Sequence, residues 1–192
     1  MITVIDDFLP KDVFENMQTF MQSPEFPWYY LSHVSRPAGS FIPAGAVETF
    51  GWHHNFYSKL DNVKSYSLDG VLPLLQKLEE YEDFKIEFIR VRAGMKTYKK
   101  GFTADNYNVP HVDYHFPHKS VVFYMNETDG DTFIFDKVFN EFPEPIDFGI
   151  KERVSPKPNR LLILDGLCYH TASNPINSDN RIIININYVD KK

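Results

Sequence analysis

Apolar residues recur at helical spacing over the first eighty positions and at strand spacing beyond them. Val13, Phe14, Met17, Phe20 and Met21 follow i, i+1, i+4, i+7 and i+8, which places them on one helical face. Pro10 suits the first turn of that helix, and Pro24 and Pro27 end it. A short strand-like run from Ile2 to Ile5 precedes it, and Phe26 to Tyr30 looks extended after it. Ser, Pro and Gly make Ser32 to Gly51 a long loop, while Trp52 to Tyr57 is ambiguous between strand and loop. A second helix is predicted from Asp69 to Tyr81, with Asp69 as its cap, Pro73 early and Leu72, Leu75 and Leu78 as its apolar stripe.

From Phe84 onward the texture is that of strands. Lys85 to Arg92 is rich in β-formers, and Gly94 and Gly101 bracket a polar loop before His111. Ser120 to Asn126 reads as a strand closed by the turn signal Asp129-Gly130, with Thr132 to Phe135 returning beyond it as the second arm of a hairpin. A linker containing Pro143 and Pro145 follows, then a strand around Gly149 to Val154, a turn at Pro156-Lys157-Pro158-Asn159, and two strands flanking Gly166. Arg181 to Val189 alternates: Ile182, Ile184, Ile186 and Tyr188 share one face, and Arg181, Ile183, Asn185 and Asn187 the other. Short strands with no helices between them predict an antiparallel barrel or jelly roll over residues 84–192. Residues 1–83 are expected to form a helical and loop support region of the same single domain. The long segments 32–51 and 94–109 are expected to cover a pocket mouth.

Composition narrows the partners. A 192-residue chain with 43% hydrophobic residues is long enough for one sizeable core, and 17 Phe with 11 Tyr suit a β-rich interior. A formal net charge of −6 argues against a nucleic-acid partner, since phosphate backbones select basic surfaces. The single cysteine, Cys168, allows no intrachain disulfide, and no signal peptide or transmembrane run is visible. A soluble, cytoplasmic protein without a membrane partner is therefore the expectation.

The chemistry concentrates at Pro110-His111-Val112-Asp113. In a strand, residues i and i+2 share a face, so an imidazole and a carboxylate offer two adjacent corners to a metal. His170, delivered by the turn after Leu161 to Asp165, is the candidate third ligand. Two imidazoles and one carboxylate form the facial set of non-haem iron oxygenases, whereas Zn(II) on the same ligands would make a hydrolase-type site. Arg181 separates these readings. A guanidinium on a polar strand face needs an anion, and a dicarboxylate can chelate the metal at one end and dock on Arg181 at the other. Tyr124 is a candidate second donor to that carboxylate, and Asn187, on the face of Arg181, is a further candidate contact. Cys168 reads as buried filler, and His115 and His118 are candidates for the substrate entrance.

This ordered set resembles the prolyl-4-hydroxylase-like branch of the 2-oxoglutarate- and Fe(II)-dependent dioxygenases. The resemblance runs from about Phe88 to Val189 through His111-x-Asp113, Tyr124-x-Asn126, Gly130-Asp131-Thr132, Pro156 to Arg160, His170 and Arg181. A weaker echo lies in Ile5 to Leu9. It implies a mostly β fold with flanking helices around a double-stranded β-helix (jelly-roll) core, a triad holding Fe(II), and Arg181 anchoring 2-oxoglutarate. The implied reaction hydroxylates a C–H bond of a peptidyl side chain, an amino acid or a small metabolite. It consumes O2, yields succinate and CO2, and takes ascorbate as a supporting reductant. One feature departs from the pattern: where the family often carries a co-substrate tyrosine on the first barrel strand, this chain has Arg92, with Tyr98 further on. Two other readings stay open, a cupin-like metalloenzyme that uses no 2-oxoglutarate and a non-catalytic ligand-binding barrel.

Overall fold

The alternation of the last strand sets the architecture, because its two faces meet different surroundings. Strand β11 (Asn180–Asp190) buries Ile182, Ile184, Ile186 and Tyr188 against the helical layer. Its opposite face carries Arg181, Ile183 and Asn185 into an interior cavity. The computed structural model describes residues 2–35, 42–140 and 147–191. The expected linker around Pro143 and Pro145 lies outside the described residues, as does part of the loop from Ser32 to Gly51.

The remaining elements are β1 (Ile2–Ile5), α1 (Lys11–Gln22), β2 (Tyr29–Leu31), β3 (Gly51–Ser58), β4 (Val63–Lys64), a 3-10 turn (Tyr66–Val71), α2 (Leu72–Tyr81) and β5 (Ile86–Thr97), followed by β6 (Lys119–Tyr124), β7 (Thr132–Val138), β8 (Ile150–Val154), β9 (Leu161–Asp165) and β10 (Cys168–Ala172). An eight-stranded antiparallel sheet runs β1-β9-β6-β11-β5-β3-β2, with β4 against β3, and a three-stranded sheet runs β10-β7-β8. Val122, Tyr124, Leu162 and Leu164 of the larger sheet pack on Ile134 and Val154 of the smaller one. The helices cover the other face of the larger sheet through Phe14, Met17, Met21, Leu74, Leu75 and Leu78. The result is a double-stranded β-helix (jelly roll) with two supporting helices. Among the described residues, no helix is long and apolar enough to cross a membrane.

Several elements differ from their sequence-based expectation. Residues 1–83 do more than support the core: β1, β2, β3 and β4 all join the larger sheet. Asp69 does not cap α2; Ser65 caps the preceding 3-10 turn by accepting from the Ser67 N–H, and the buried face is Leu74, Leu75 and Leu78 while Leu72 is exposed. β5 passes straight through Gly94 to Thr97, because its whole length is paired with β11. β6 and β7 form no hairpin. Both edges of β6 are taken, by β9 and β11, so β7 crosses to the smaller sheet. Asp129 fixes that corner by accepting from the backbone N–H groups of Ile176 and Asn177.

The turn ahead of β9 ties the chain start in place. Asn159 sits at φ 62, a left-handed conformation that asparagine tolerates. Its side chain accepts from the Leu9 N–H at 2.9 Å and donates to the Leu9 carbonyl at 2.8 Å. Gly166, between β9 and β10, has no room for a side chain, since a Cβ would fall 2.2 Å from Nε2 of His118.

Candidate metal centre and co-substrate pocket

His111 does not belong to a regular strand. It forms an isolated antiparallel bridge with His170, each backbone N–H donating to the other's carbonyl at 3.1 and 3.0 Å. This pairing at the edge of the smaller sheet brings two sequence-distant imidazoles to a ring-centroid separation of 5.1 Å. Asp113 follows in a bend, and one ligand atom from each of His111, Asp113 and His170 lies within 4.8 Å of the others.

The tautomers of both histidines are fixed from behind. Nδ1 of His111 donates to the Val109 carbonyl at 3.1 Å, and Nδ1 of His170 donates to the Cys168 carbonyl at 3.0 Å. A carbonyl can only accept, so the proton sits on Nδ1 and the Nε2 lone pair is left for a metal. Nε2 of His170 stands 3.8 Å from Oδ2 of Asp113. Burial, and then the neighbouring His170, push the His111 imidazole down to about 3, so it is neutral and ready to ligate.

Asp113 is held as an anion. Burial opposes its charge, but the Arg90 guanidinium, helped by the Ser120 hydroxyl, keeps its carboxyl well below the usual carboxylate range. A guanidinium N–H of Arg90 donates to Oδ1 at 2.7 Å. Ser120 and Asn187 donate to Oδ2, Asn187 at 2.8 Å, and Asn185 adds a longer bond at 3.3 Å. Two imidazoles with Nδ1 held by backbone carbonyls and one ionised carboxylate are the donor set that Fe(II) and its divalent neighbours accept. The residues present fit such a metal.

A cavity opens from this centre between the sheets, and one face of it is a grid. Across β11 and β5, Arg181 opposes Lys96, Ile183 opposes Gly94, Asn185 opposes Arg92 and Asn187 opposes Arg90; on the other side of β5, His53 of β3 opposes Gly94. Arg181 lies four residues along β11 from Asn185, which bonds Asp113, and so at the end away from the triad. Its Nε donates to the Gly130 carbonyl at 2.7 Å and a terminal N–H donates to Oγ1 of Thr132 at 2.8 Å. Gly130 is needed there, because a Cβ would fall 3.0 Å from Cδ of Arg181 and 2.9 Å from the Ser173 carbonyl. Beside Arg181, Nζ of Lys96 is shielded from solvent and has no hydrogen-bond partner among the described residues. Burial, and then Arg181, depress the Lys96 ammonium well below the ordinary lysine value.

The other candidates fall into place around this grid. Arg92 lines the cavity; its Nε lacks a partner among the described residues, and burial with the Arg90 charge lowers the guanidinium to about 10. Tyr98 is 53% exposed and does not line the cavity. Tyr124 is fully buried one layer behind, its hydroxyl 2.7 Å from Oγ1 of Thr132 and the Arg181 guanidinium 5.5 Å from its ring centre. Asn187 touches Asp113 and Ser120 rather than the cavity. His118 is buried under Gly166 and His115 stacks on Phe139, so neither lines the cavity. Of the segment expected to form a second lid, Gly94, Met95 and Lys96 line the cavity as part of β5; Val34 and Ser35 line it from the start of the first.

Sequence reasoning missed Lys96, Thr132 and Arg90. Arg90, Arg92, Gly94 and Lys96 alternate along one face of β5, a signal available once the strand is carried past Gly94. Thr132 stood in the Gly130-Asp131-Thr132 match without a role, because only the crossing of β7 into the second sheet brings it under Arg181.

The fold and the convergent triad together define a double-stranded β-helix with a buried metal-type centre. No family model matches the sequence, and no curated protein matches it. Solved structures match over nearly the whole chain. The non-haem alpha-ketoglutarate-dependent epimerase SnoN from nogalamycin biosynthesis is 12% identical with a TM-score of 0.63, covering 98% of this chain and 77% of that one. An oxidoreductase of the 2OG-Fe(II) oxygenase family from Burkholderia pseudomallei is 11% identical with a TM-score of 0.62, covering 97% and 84%. A prolyl hydroxylase from Trichoplax adhaerens, solved with a peptide fragment of the hypoxia inducible factor oxygen degradation domain, is 13% identical with a TM-score of 0.58, covering 98% and 83%. At these identities the likeness establishes a shared fold. It spans peptide-bound and small-molecule enzymes and singles out no branch.

Proposed function

We propose that this chain is a 2-oxoglutarate- and Fe(II)-dependent oxygenase that hydroxylates a C–H bond of a small-molecule or peptidyl substrate. The observation that carries the reading is the pair Arg181 and Lys96, two neighbouring buried cations at the end of a cavity whose other end is the His111, Asp113 and His170 cluster. A buried ammonium with no counter-charge is costly unless a ligand supplies one. A dicarboxylate matches both ends.

When bound, Fe(II) and 2-oxoglutarate supply the oxidising chemistry, using O2 and releasing succinate and CO2. The chain's own residues do the rest. His111 and His170 present Nε2 because their Nδ1 protons are held by backbone carbonyls. Arg90, Ser120 and Asn187 keep Asp113 ionised and aimed. Arg181, propped by Gly130 and Thr132, offers a fixed fork to the distal carboxylate, and Lys96 adds a point charge. Leu31, Val34, Trp52 and Ile183 give the cavity an apolar wall that limits water.

The test is an anaerobic titration of 2-oxoglutarate into Fe(II)-loaded protein, following the metal-to-ligand charge-transfer band. Wild type should develop the band. Arg181→Ala and Lys96→Met should each lose about 1.5–3 kcal/mol of charge-assisted hydrogen bonding, which is roughly 10- to 100-fold in affinity, with Fe(II) binding unchanged. A wild type that binds Fe(II) and shows no band would overturn the reading in favour of a metal barrel that does not use 2-oxoglutarate.

A further inference from the structure

The cavity holds more positive charge than a metal and a dicarboxylate consume. Asp113 is its only acidic residue among the described ones, set against Arg92, Lys96 and Arg181 in the lining and Arg90 behind. Counting the three arginines, a divalent metal, Asp113 and a dicarboxylate, two positive charges remain unmatched even with Lys96 neutral. Arg90 is spoken for by Asp113 and Asn185. Arg181 is held by Gly130 and Thr132 at the far end. Arg92 is neither.

Arg92 lies four residues from Lys96 on the same face of β5, about 13 Å along the backbone, with Asn185 rather than Arg181 directly opposite it on β11. Its neighbours on the β3 side are Asn55, directly opposite, and His53, on the diagonal. Nδ1 of His53 is shielded from solvent and has no partner among the described residues, the same condition as Nε of Arg92. Burial, and then the charge of Arg92, hold the His53 imidazole below its usual value, so it faces the guanidinium as a neutral group able to donate one N–H. Trp52 of β3 and Leu31 of β2 also line the cavity. Among the described residues these two unpartnered nitrogens, one on a guanidinium and one on a neutral imidazole that can carry its proton there, border the same cavity and together can receive an anion.

Resting on the co-substrate reading above, we propose that Arg92 and His53 form a subsite that recognises an anionic group of the primary substrate, a carboxylate or a phosphate. The unmodified side chain of a neutral peptide residue would leave both donors unsatisfied, which discriminates strongly against it. Substrates are then expected among amino acids bearing a free carboxylate and phosphorylated or carboxylated small metabolites.

The experiment uses Fe(II)-loaded wild type and the variants Arg92→Gln, Arg92→Lys and His53→Phe, first titrated anaerobically with 2-oxoglutarate. All three variants should keep 2-oxoglutarate affinity within about threefold of wild type, unlike Arg181→Ala. N-acetylglycine and inorganic phosphate are then titrated calorimetrically into the Fe(II)- and 2-oxoglutarate-loaded proteins, with N-methylacetamide as the uncharged control. One of the two anions should bind wild type at a single site, at least tenfold more weakly to Arg92→Gln and to intermediate degree to Arg92→Lys, while N-methylacetamide shows no binding. Which anion binds identifies the substrate's charged group. If Arg92→Gln loses 2-oxoglutarate as severely as Arg181→Ala, Arg92 is a co-substrate anchor and the proposal falls while the oxygenase reading stands. It falls equally if wild type binds neither anion, or binds one that Arg92→Gln binds as well. If wild type shows no charge-transfer band, the oxygenase reading fails, and anion titration of the Fe(II)-loaded protein alone still decides whether Arg92 and His53 bind an anion.

Discussion

The two ends of the cavity are built on opposite principles. At the metal end the protein supplies both the charge and its compensation: Asp113 receives Arg90, Ser120, Asn185 and Asn187, and each ligand histidine has its rear nitrogen engaged. At the other end the cations are left open: among the described residues Lys96 has no partner and Arg181 is hydrogen-bonded to neutral oxygens. A satisfied network fixes geometry before any ligand arrives. An unsatisfied one stores a cost that an anion can relieve, so the same cavity is fixed in geometry at the triad and open to a ligand at Arg181 and Lys96.

The largest effects should separate these ends by sign. Asp113→Ala deprives Arg90 of its carboxylate and the metal of a ligand; metal-free protein should lose about 3–5 kcal/mol of stability in chemical denaturation, and metal affinity should collapse. Lys96→Met removes a buried amine that has no partner among the described residues, and ligand-free protein should gain about 1 kcal/mol. Should Lys96→Met be the destabilising variant, the ammonium has a partner in solution and the contrast between the ends dissolves.

A smaller effect lies in the pH dependence. The folded value of Lys96 is depressed below 10.5, so between that folded value and 10.5 the unfolded chain holds more protons, and stability of the ligand-free protein rises with pH across the window. 2-Oxoglutarate reverses the balance by favouring the charged ammonium. Its affinity should be greatest below the folded Lys96 value and fall, by up to about tenfold per pH unit, as pH rises above it. Both slopes should flatten in Lys96→Met. A wild-type affinity independent of pH across the range would show that Lys96 stays charged without a ligand.

The local patterns were legible where a periodicity or a turn residue acts on its own. The stripe of α1, the alternation of β11 and the Asn159 turn depend on neighbours in sequence, and all three stand in the fold. What sequence did not reveal depends on which strand edge is already occupied. Asp129-Gly130 is a legitimate turn signal, yet both edges of β6 are filled, so the turn became a corner between sheets. Gly94 reads as punctuation, but pairing with β11 on one side and β3 on the other carries β5 across it. That one misplacement hid Lys96. In the site, the imidazoles and carboxylate were visible as residue types, whereas the His111–His170 bridge and the arginine behind Asp113 exist only after the sheets close.

The smallest effect tests how far the anchor's support extends. Tyr124 does not reach the cavity; it bonds Oγ1 of Thr132, and Thr132 in turn accepts from Arg181. Tyr124→Phe keeps the ring under the guanidinium and removes one neutral hydrogen bond, worth about 1 kcal/mol. Thr132 retains its bond to Arg181, so 2-oxoglutarate affinity should fall by no more than about fivefold, with Fe(II) binding unchanged. Thr132→Val removes the shared oxygen and should weaken affinity further than Tyr124→Phe. Titrating both variants by the charge-transfer band ranks them directly. If Tyr124→Phe matches Arg181→Ala in effect, the phenol itself reaches the co-substrate carboxylate, and the far end of the cavity is a three-donor anchor rather than a propped arginine beside a lysine.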